Sequence, residues 1–250
     1  MRKLLFFFTL CMASVYAQQT KAYQHGEKIK YRIHYGLINA GYASIEVQDE
    51  MLNNIPHEHV IGKGWTTGML RWVFPVKDNY ESYINKKTGF PTKAIRQIKE
   101  GGFEKNVELR FEKDSVLTID HKKNKEVKVA AKNVQDMISA FYYLRNHVPE
   151  NMKLNQEVEI GMFFDEKKFD FKLIKLRKEI LKTKFGKVEC FVFRPMVKSG
   201  RVFKEKESLS MWISADKNRI PLRIQASLAV GSLKADIEEY SGLAHPFNVK

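Results

Sequence analysis

The chain has 250 residues, of which 44% are hydrophobic, so it is long enough to bury a sizeable apolar core. Its 43 Lys and Arg against 29 Asp and Glu give a net charge of +14. Such an excess is compatible with a nucleic-acid partner, an anionic membrane surface or a merely basic protein. With two cysteines, the composition excludes a disulfide-rich scaffold.

The first 17 residues have the pattern of an export signal. Arg2 and Lys3 form the positive region, Leu4–Leu10 form the apolar core, and cleavage is expected after Ala17. This apolar run is far shorter than the roughly 20 residues that span a bilayer, so no transmembrane segment is expected in the mature chain. We therefore expect a periplasmic or secreted protein in which residues 18–250 form one domain and remain monomeric.

Removal of this leader leaves Cys190 as the one cysteine and lowers the charge excess to +12. Export argues against nucleic acid as a partner. The lysines mostly alternate with apolar residues, which is typical of the solvated face of a sheet.

Short alternating strands dominate the chain. In Lys28–Tyr35, Ile29, Tyr31, Ile33 and Tyr35 are predicted on the buried face, and the chain turns and returns through Ala43–Val47. Further strands are predicted at His59–Ile61, Asn79–Ile84, Thr92–Lys99, Val107–Phe111, Ser115–Asp120, Glu126–Val129, Glu157–Phe164, Phe169–Leu173, Gly186–Phe193, Leu209–Ile213, Ile220–Ile224 and Leu233–Ile237. Pro221 places its strand near an edge or at a bulge.

One long helix is predicted at Asn133–Asn146. Asn133 would cap it, with Asp136 completing a box-like start. Its apolar positions recur at helical spacing, and Pro149 stops it. These positions are Val134, Met137, Ile138, Phe141, Leu144 and Val148.

Glycines at positions 62, 64 and 68 precede a second, short helix or apolar turn at Met69–Phe74. Their spacing is one residue off the dinucleotide-binding fingerprint, and no parallel βαβ pattern surrounds them. We interpret them as a corner in a curved sheet.

No catalytic constellation is present in the sequence. His57 and His59 could form half of a metal site, but no second pair stands nearby, and exposed histidines beside a turn are the simpler interpretation. Cys190 lies within an apolar strand and is expected to be inert. We predict no cofactor and no bound metal. An enzyme acting on glycans or lipids remains an alternative without a recognisable motif.

The large apolar side chains around the short helix suggest a ligand site. We predict that they line the mouth of a pocket and that side chains of the long helix line its floor. The alternative is that all of them are core. The candidate ligand-binding residues are Trp65, Met69, Trp72, Phe74, Met137 and Phe141.

The segment from Lys167 to Lys187 is rich in Lys and Arg. It predicts a basic surface for an anionic headgroup or an acidic partner, with a solvated strand pair as the alternative. The candidate residues of this surface are Lys172, Lys175, Arg177 and Lys178.

Several segments resemble the exported family known as domain of unknown function 3108, and they follow that family's order along the chain. They are Gly26–Val47, Asp78–Pro91, Gln97–Phe103, Val134–Asn146 and Ser210–Ile237. The closing segment is also similar to the sheet of periplasmic lipoprotein carriers of the LolA/LolB type. That resemblance implies, by analogy of fold, a curved, incomplete antiparallel barrel with helices packed against it and acyl chains held in the cavity.

The predicted fold is α+β and mostly β: a large curved antiparallel sheet, an open or half barrel, around one central helix with one short extra helix. The predicted function is a non-enzymatic periplasmic binder of a lipid, an acyl chain or an acylated envelope ligand. An envelope scaffold that uses the basic surface is the alternative.

Overall fold

The fold was analysed on a computed structural model of the chain. It describes residues 21–149, 151–197, 209–228 and 230–250, and the predicted leader lies outside them. The two helices are α1 (Leu70–Val73) and α2 (Met137–His147). The strands are β1 (Lys28–Tyr35), β2 (Ile38–Leu52), β3 (Ile55–Thr66), β4 (Lys77–Asn85), β5 (Pro91–Glu100), β6 (Phe103–Phe111), β7 (Ser115–Asp120), β8 (Lys125–Ala130), β9 (Val134–Gln135), β10 (Glu157–Phe164), β11 (Lys167–Thr183), β12 (Gly186–Val197), β13 (Leu209–Ser214), β14 (Pro221–Ser227) and β15 (Ser232–Ser241).

All of these strands belong to one sheet, which is not closed. Its order is β8-β7-β6-β5-β4-β3-β2-β1-β15-β14-β13-β12-β11-β10-β9. Nearly every neighbouring pair is antiparallel, and the two-residue β9 pairs parallel with β10. The first and last strands meet in the middle of the sheet, where Lys28 pairs with Ser241. The predicted class, a large antiparallel sheet with one longer helix and one short one, is confirmed.

Strand β1 shows how the alternation and a bulge together determine which side chains are buried. Ile29 and Tyr31 point into the core as predicted. A shift in the register with β2 between Ile33 and His34 then inverts the pattern, so His34 is buried and Tyr35 is exposed. The prediction that Tyr35 faces the core was wrong, because a bulge adds one residue to the strand and exchanges its two faces.

Helix α2 begins three residues later than predicted. Its N-cap is Asp136, whose carboxylate accepts hydrogen bonds from the backbone N–H groups of Ile138 (2.8 Å) and Ser139 (3.1 Å). The Ser139 hydroxyl in turn accepts the N–H of Asp136 at 2.9 Å, which completes the capping box. Asn133 is not the cap: it takes a left-handed conformation (φ 53°) just before β9.

The two halves of the sheet pack against opposite sides of α2. Helix α2 contacts β3 and β4 from one half of the sheet and β9 and β10 from the other. Tyr142, at the centre of the helix, is fully buried among residues of the main core. Gly62 of β3 allows the close approach, because a Cβ there would lie 3.1 Å from the Ile138 side chain. Of the glycines predicted to form a corner, Gly62 and Gly64 lie within β3 and pair with β4 without a register shift, and Gly68 lies in the turn after β3 in a left-handed conformation (φ 57°).

A buried ion pair fixes the carboxyl half of α2. The Arg145 guanidinium donates to both carboxylate oxygens of Glu27, at 2.6 and 2.8 Å, and both side chains are excluded from solvent. The same guanidinium donates to the carbonyl oxygens of Ala22 (3.0 Å) and Asn218 (2.9 Å). Arg145 therefore ties the helix to the segment before β1 and to the turn between β13 and β14.

The tip of the β10–β11 hairpin contacts β5 and β6 and so connects the two halves of the sheet. Asp165 accepts hydrogen bonds from Arg96 of β5 (2.9 Å) and Lys105 of β6 (2.7 Å). Phe163 of β10 packs in the same apolar cluster as Leu109 of β6. These contacts hold the β9 edge against the β5–β6 region although the sheet is open.

Strand β11 has 17 residues and is much longer than the predicted Phe169–Leu173, because the basic segment continues it. Its partner β12 buries Val188, Cys190 and Val192 on one face, as the alternation predicts. The register between β13 and β14 shifts at the point where Ile213 pairs with Pro221. This irregularity corresponds to the bulge that was one of the two positions predicted for the proline.

Candidate functional site

A cavity of about 390 Å³ lies between the carboxyl half of α2 and the inner face of β11–β14. Phe141 and Leu144 of the helix form one wall. Apolar side chains of the strands form the opposite wall, namely Leu173, Phe191, Phe193, Met211 and Ile213. Both the volume and the apolar lining are typical of sites for small molecules.

Lys175 brings a positive charge into this apolar lining. It follows Leu173 on the inward face of β11 and is 6% exposed. Its ammonium group donates to the carbonyl oxygen of Met152 at 2.7 Å and lies 3.7 Å from the ring centroid of Phe191. No ion pair joins it to an acidic side chain of the described residues, and burial, with a smaller contribution from the charge of Lys178, lowers its pKa.

The other polar groups at this cavity are mostly committed to the fold. Asp216 accepts hydrogen bonds from the Ser214 hydroxyl (2.8 Å) and the N–H of Asn218 (3.0 Å). Arg219 donates to the carbonyl oxygens of Arg145 and Val148 at the end of α2. The exposed Lys217 makes no ion pair within the described part of the chain. Lys175 and Lys217 are therefore the cations that remain for an incoming anion.

The structure places the predicted ligand residues in two different regions. Phe141 lines the cavity, whereas Met137, at the other end of α2, is 46% exposed. The remaining four lie at the connection between β3 and β4. Trp65 is half-buried beside Tyr42, and the other three, Met69, Trp72 and Phe74, are exposed. The structure therefore does not bring the predicted mouth and floor together.

The predicted basic surface is largely compensated by neighbouring acids. Lys172 pairs with Glu157 at 2.5 Å, Arg177 pairs with Glu179 at 2.7 Å, and Lys178 pairs with Glu189 at 3.0 Å. The fourth residue, Lys175, points inward to the cavity. Three of the four charges are thus already partnered within the sheet.

The histidine pair is buried, contrary to the prediction of exposed side chains. His57 bonds to the carbonyl of Ile55 and the hydroxyl of Thr92, and the ring of His59 lies between the carboxylates of Glu50 and Glu81. Among the described residues, no group of three His, Cys, Asp or Glu side chains could hold a metal ion.

Cys190 is buried in β12, and it is the free cysteine of the described chain. Burial, with a smaller contribution from the charge of Glu179, raises the pKa of the Cys190 thiol to about 11. A thiol with so high a pKa is a poor nucleophile at neutral pH.

The structure shows two features of the site that the sequence predictions missed. The cavity depends on how the helix lies across strands far apart in sequence. The inward position of Lys175, in contrast, has a sequence signal: it stands two residues after Leu173, in phase with the apolar face of an alternating strand. The prediction grouped Lys175 with the neighbouring basic residues as one exposed surface and therefore missed its position on the apolar face.

The architecture is an open, largely antiparallel sheet with an internal helix and a cavity beside that helix. No helix in the described ranges is both long and apolar enough to cross a bilayer. Residues 30–238 match the family described as Protein of unknown function (DUF3108), so the chain belongs to this family. The predicted family resemblance is thereby confirmed. No curated protein sequence matches the chain.

Comparison with solved structures finds matches among bacterial proteins. The chain is similar to the β-barrel-like protein of domain of unknown function DUF1849 from Brucella abortus, with 7% identity over 89% of this chain and 98% of that chain and a TM-score of 0.60. A DUF1089 family protein from Pseudomonas aeruginosa is 8% identical over 72% of this chain and 87% of that one, with a TM-score of 0.40. At 7% identity, the likeness to the Brucella abortus protein concerns the fold alone.

Proposed function

We propose that this protein is a non-enzymatic binder of an acyl-chain ligand, exported to the periplasm or secreted, with residues 18–250 acting as one domain. The observation that carries the proposal is the cavity of about 390 Å³ between α2 and β11–β14. An acyl chain is the ligand whose chemistry matches walls of Phe, Leu, Met and Ile side chains. The leader-like pattern of residues 1–17 supports export.

The charge in the cavity narrows the ligand to an acyl chain with an anionic end. Lys175 lies within the apolar lining without an acidic partner in the described chain, and Lys217 lies at the same cavity. A carboxylate or phosphate placed near Lys175 would gain a charge-assisted hydrogen bond in a weakly hydrated site. A neutral chain of the same length would gain only the apolar contacts.

The test compares palmitate with hexadecanol, which have the same chain length and differ in charge. Protein purified under mild conditions is first examined by native mass spectrometry for bound lipid, and is then titrated with both probes. We expect Lys175→Met to weaken palmitate binding by about 10- to 100-fold, the range for loss of a charged hydrogen bond, and to leave hexadecanol binding nearly unchanged.

A second pair of variants tests the cavity itself. Ile213→Trp fills it and should abolish binding of both probes, whereas Ile180→Trp places the same side chain on an exposed position of β11 and should leave binding intact. Equal binding by both tryptophan variants would refute the proposed site. Absence of any bound or titratable acyl ligand in the unmodified protein would refute the function.

A further inference from the structure

One end of the sheet carries a concentration of exposed apolar side chains. In this antiparallel order, the β1–β2, β3–β4, β5–β6 and β14–β15 connections all lie at the same end. Of the seventeen large apolar residues that the described chain leaves exposed, eleven lie in these four connections or at the strand ends that flank them. We call the most prominent of them the apolar rim: Leu37, Met69, Trp72, Phe74, Phe103 and Val230.

Contacts between the connections make the rim continuous. The ring of Phe74 packs directly on the backbone of Gly101, which joins the β3–β4 and β5–β6 connections. The N–H of Thr67 donates to the Ala40 carbonyl at 3.3 Å and holds the β3–β4 connection beside the β1–β2 hairpin. On the other side, the Tyr35 hydroxyl donates to the carbonyl of Val230 at 2.8 Å. The rim is therefore one surface rather than four isolated tips.

Positive charges accompany the rim. Arg71, Lys77 and Lys234 lie within it or next to it, and none of them forms an ion pair with a described acidic residue. Two acids at this end, Asp78 and Glu100, also form no ion pair with a described cation. Asp78 accepts the N–H of Lys99 at 3.0 Å, and burial together with the charge of Asp78 raises the pKa of Glu100. The three cations outnumber these two acids, so the net charge of the unpaired groups around the rim is positive.

The shape of the rim decides between two kinds of partner. Its side chains project from hairpin tips, with Trp72 89% exposed and Leu37 fully exposed. Another protein would have to present matching recesses to separate projections. A bilayer surface adapts to them, accepts Trp and aliphatic side chains below its headgroups, and attracts Lys and Arg when its lipids are anionic.

We propose that the apolar rim docks on the surface of an anionic lipid bilayer, with Trp72 and Leu37 inserted among the headgroups and acyl chains and with Arg71 and Lys77 against lipid phosphates. This goes beyond ligand binding in the cavity, because the rim lies on a different set of strand ends. It places one end of the sheet on the membrane, with the rim side chains in the bilayer surface and the strands outside the bilayer.

The test is vesicle flotation of protein purified from cells that express the full chain. The vesicles are made of phosphatidylglycerol and phosphatidylcholine in equal parts, or of phosphatidylcholine alone. We expect the Leu37→Ser/Trp72→Gln variant to bind the anionic vesicles about 100-fold more weakly, since each side chain contributes roughly a factor of ten. Arg71→Gln/Lys77→Gln should lose roughly 20-fold on anionic vesicles and little on neutral ones.

The matched control is Met51→Gln/Ile55→Ser, which removes two exposed apolar side chains from the opposite end of the sheet and should bind like the unmodified protein. Circular dichroism confirms that every variant is folded. The proposal is overturned if the unmodified protein does not float with anionic vesicles, or if the rim variant floats as well as the control. It is also overturned if the rim variant only dissociates a dimer or a protein complex, because the rim would then be a protein interface.

Discussion

Arg145 is the residue whose loss should destabilise the fold most. Arg145→Met keeps much of the side-chain volume but removes the only cation that faces Glu27 in the described core, where both side chains are almost fully buried. An unpaired buried carboxylate costs about 3–5 kcal/mol. For a chain of this size, such a loss corresponds to a decrease in melting temperature of roughly 6–20 °C.

Urea unfolding followed by far-ultraviolet circular dichroism measures this loss directly. The double variant Glu27→Met/Arg145→Met separates the charge effect from packing, because it leaves no buried charge behind. We expect it to be more stable than Arg145→Met, although it still lacks the hydrogen bonds to Ala22 and Asn218. The reasoning fails if Arg145→Met costs less than about 1 kcal/mol, or if the double variant is less stable than the single one.

Two further predictions concern the cap of α2 and the hairpin tip. Asp136→Ala should lower the free energy of unfolding by about 1–2 kcal/mol in urea titration because the cap bonds are lost, whereas Asn133→Gly, which keeps the left-handed backbone, should change it little; equal losses would contradict the assignment of the cap. At Asp165, burial raises the pKa of the carboxyl, but hydrogen bonds from Lys105 and Arg96 outweigh it, so the pKa lies below its ordinary value. Its contribution to stability is therefore present above the unfolded-state pKa of about 4 and is lost as the pH falls through the lower folded-state pKa. Because Asp165 is half-exposed, Asp165→Asn should cost at most about 1 kcal/mol at pH 7 and less at pH 2, and a constant difference between the two proteins across this range would refute the explanation.

Much of the sheet could be predicted because alternation is a local property. Ser115–Asp120 and Glu157–Phe164 have the bounds that their patterns predict. The predictions failed where a long-range contact decides. The bulge beside His34 depends on the register with β2, and the choice of Asp136 over Asn133 as the cap depends on the hydrogen bond that Ser82 of β4 donates to Asp136.

The candidate site was harder to predict because residue type does not distinguish a side chain that lines a cavity from one that projects into solvent. Trp72 and Phe141 are both large and aromatic, but Trp72 projects from a hairpin connection whereas Phe141 faces the cavity. Only the path of the sheet around α2 separates these two situations. For Lys175 the pattern offered a signal, because a lysine in phase with Leu173 lies on the apolar face wherever the alternation continues, but the predicted strand ended at Leu173.

The pairing of β1 with β15 has a consequence for how the chain acquires its structure. Most strand pairings in the sheet join strands that are neighbours in sequence and can form from a tight hairpin. The pairing of Lys28 with Ser241, in contrast, closes a loop that contains all of the other strands named above. We therefore expect each half of the sheet to form early and the β1–β15 pairing, which has the largest sequence separation, to form last. Until it forms, the unpaired edges of β1 and β15 are exposed to aggregation.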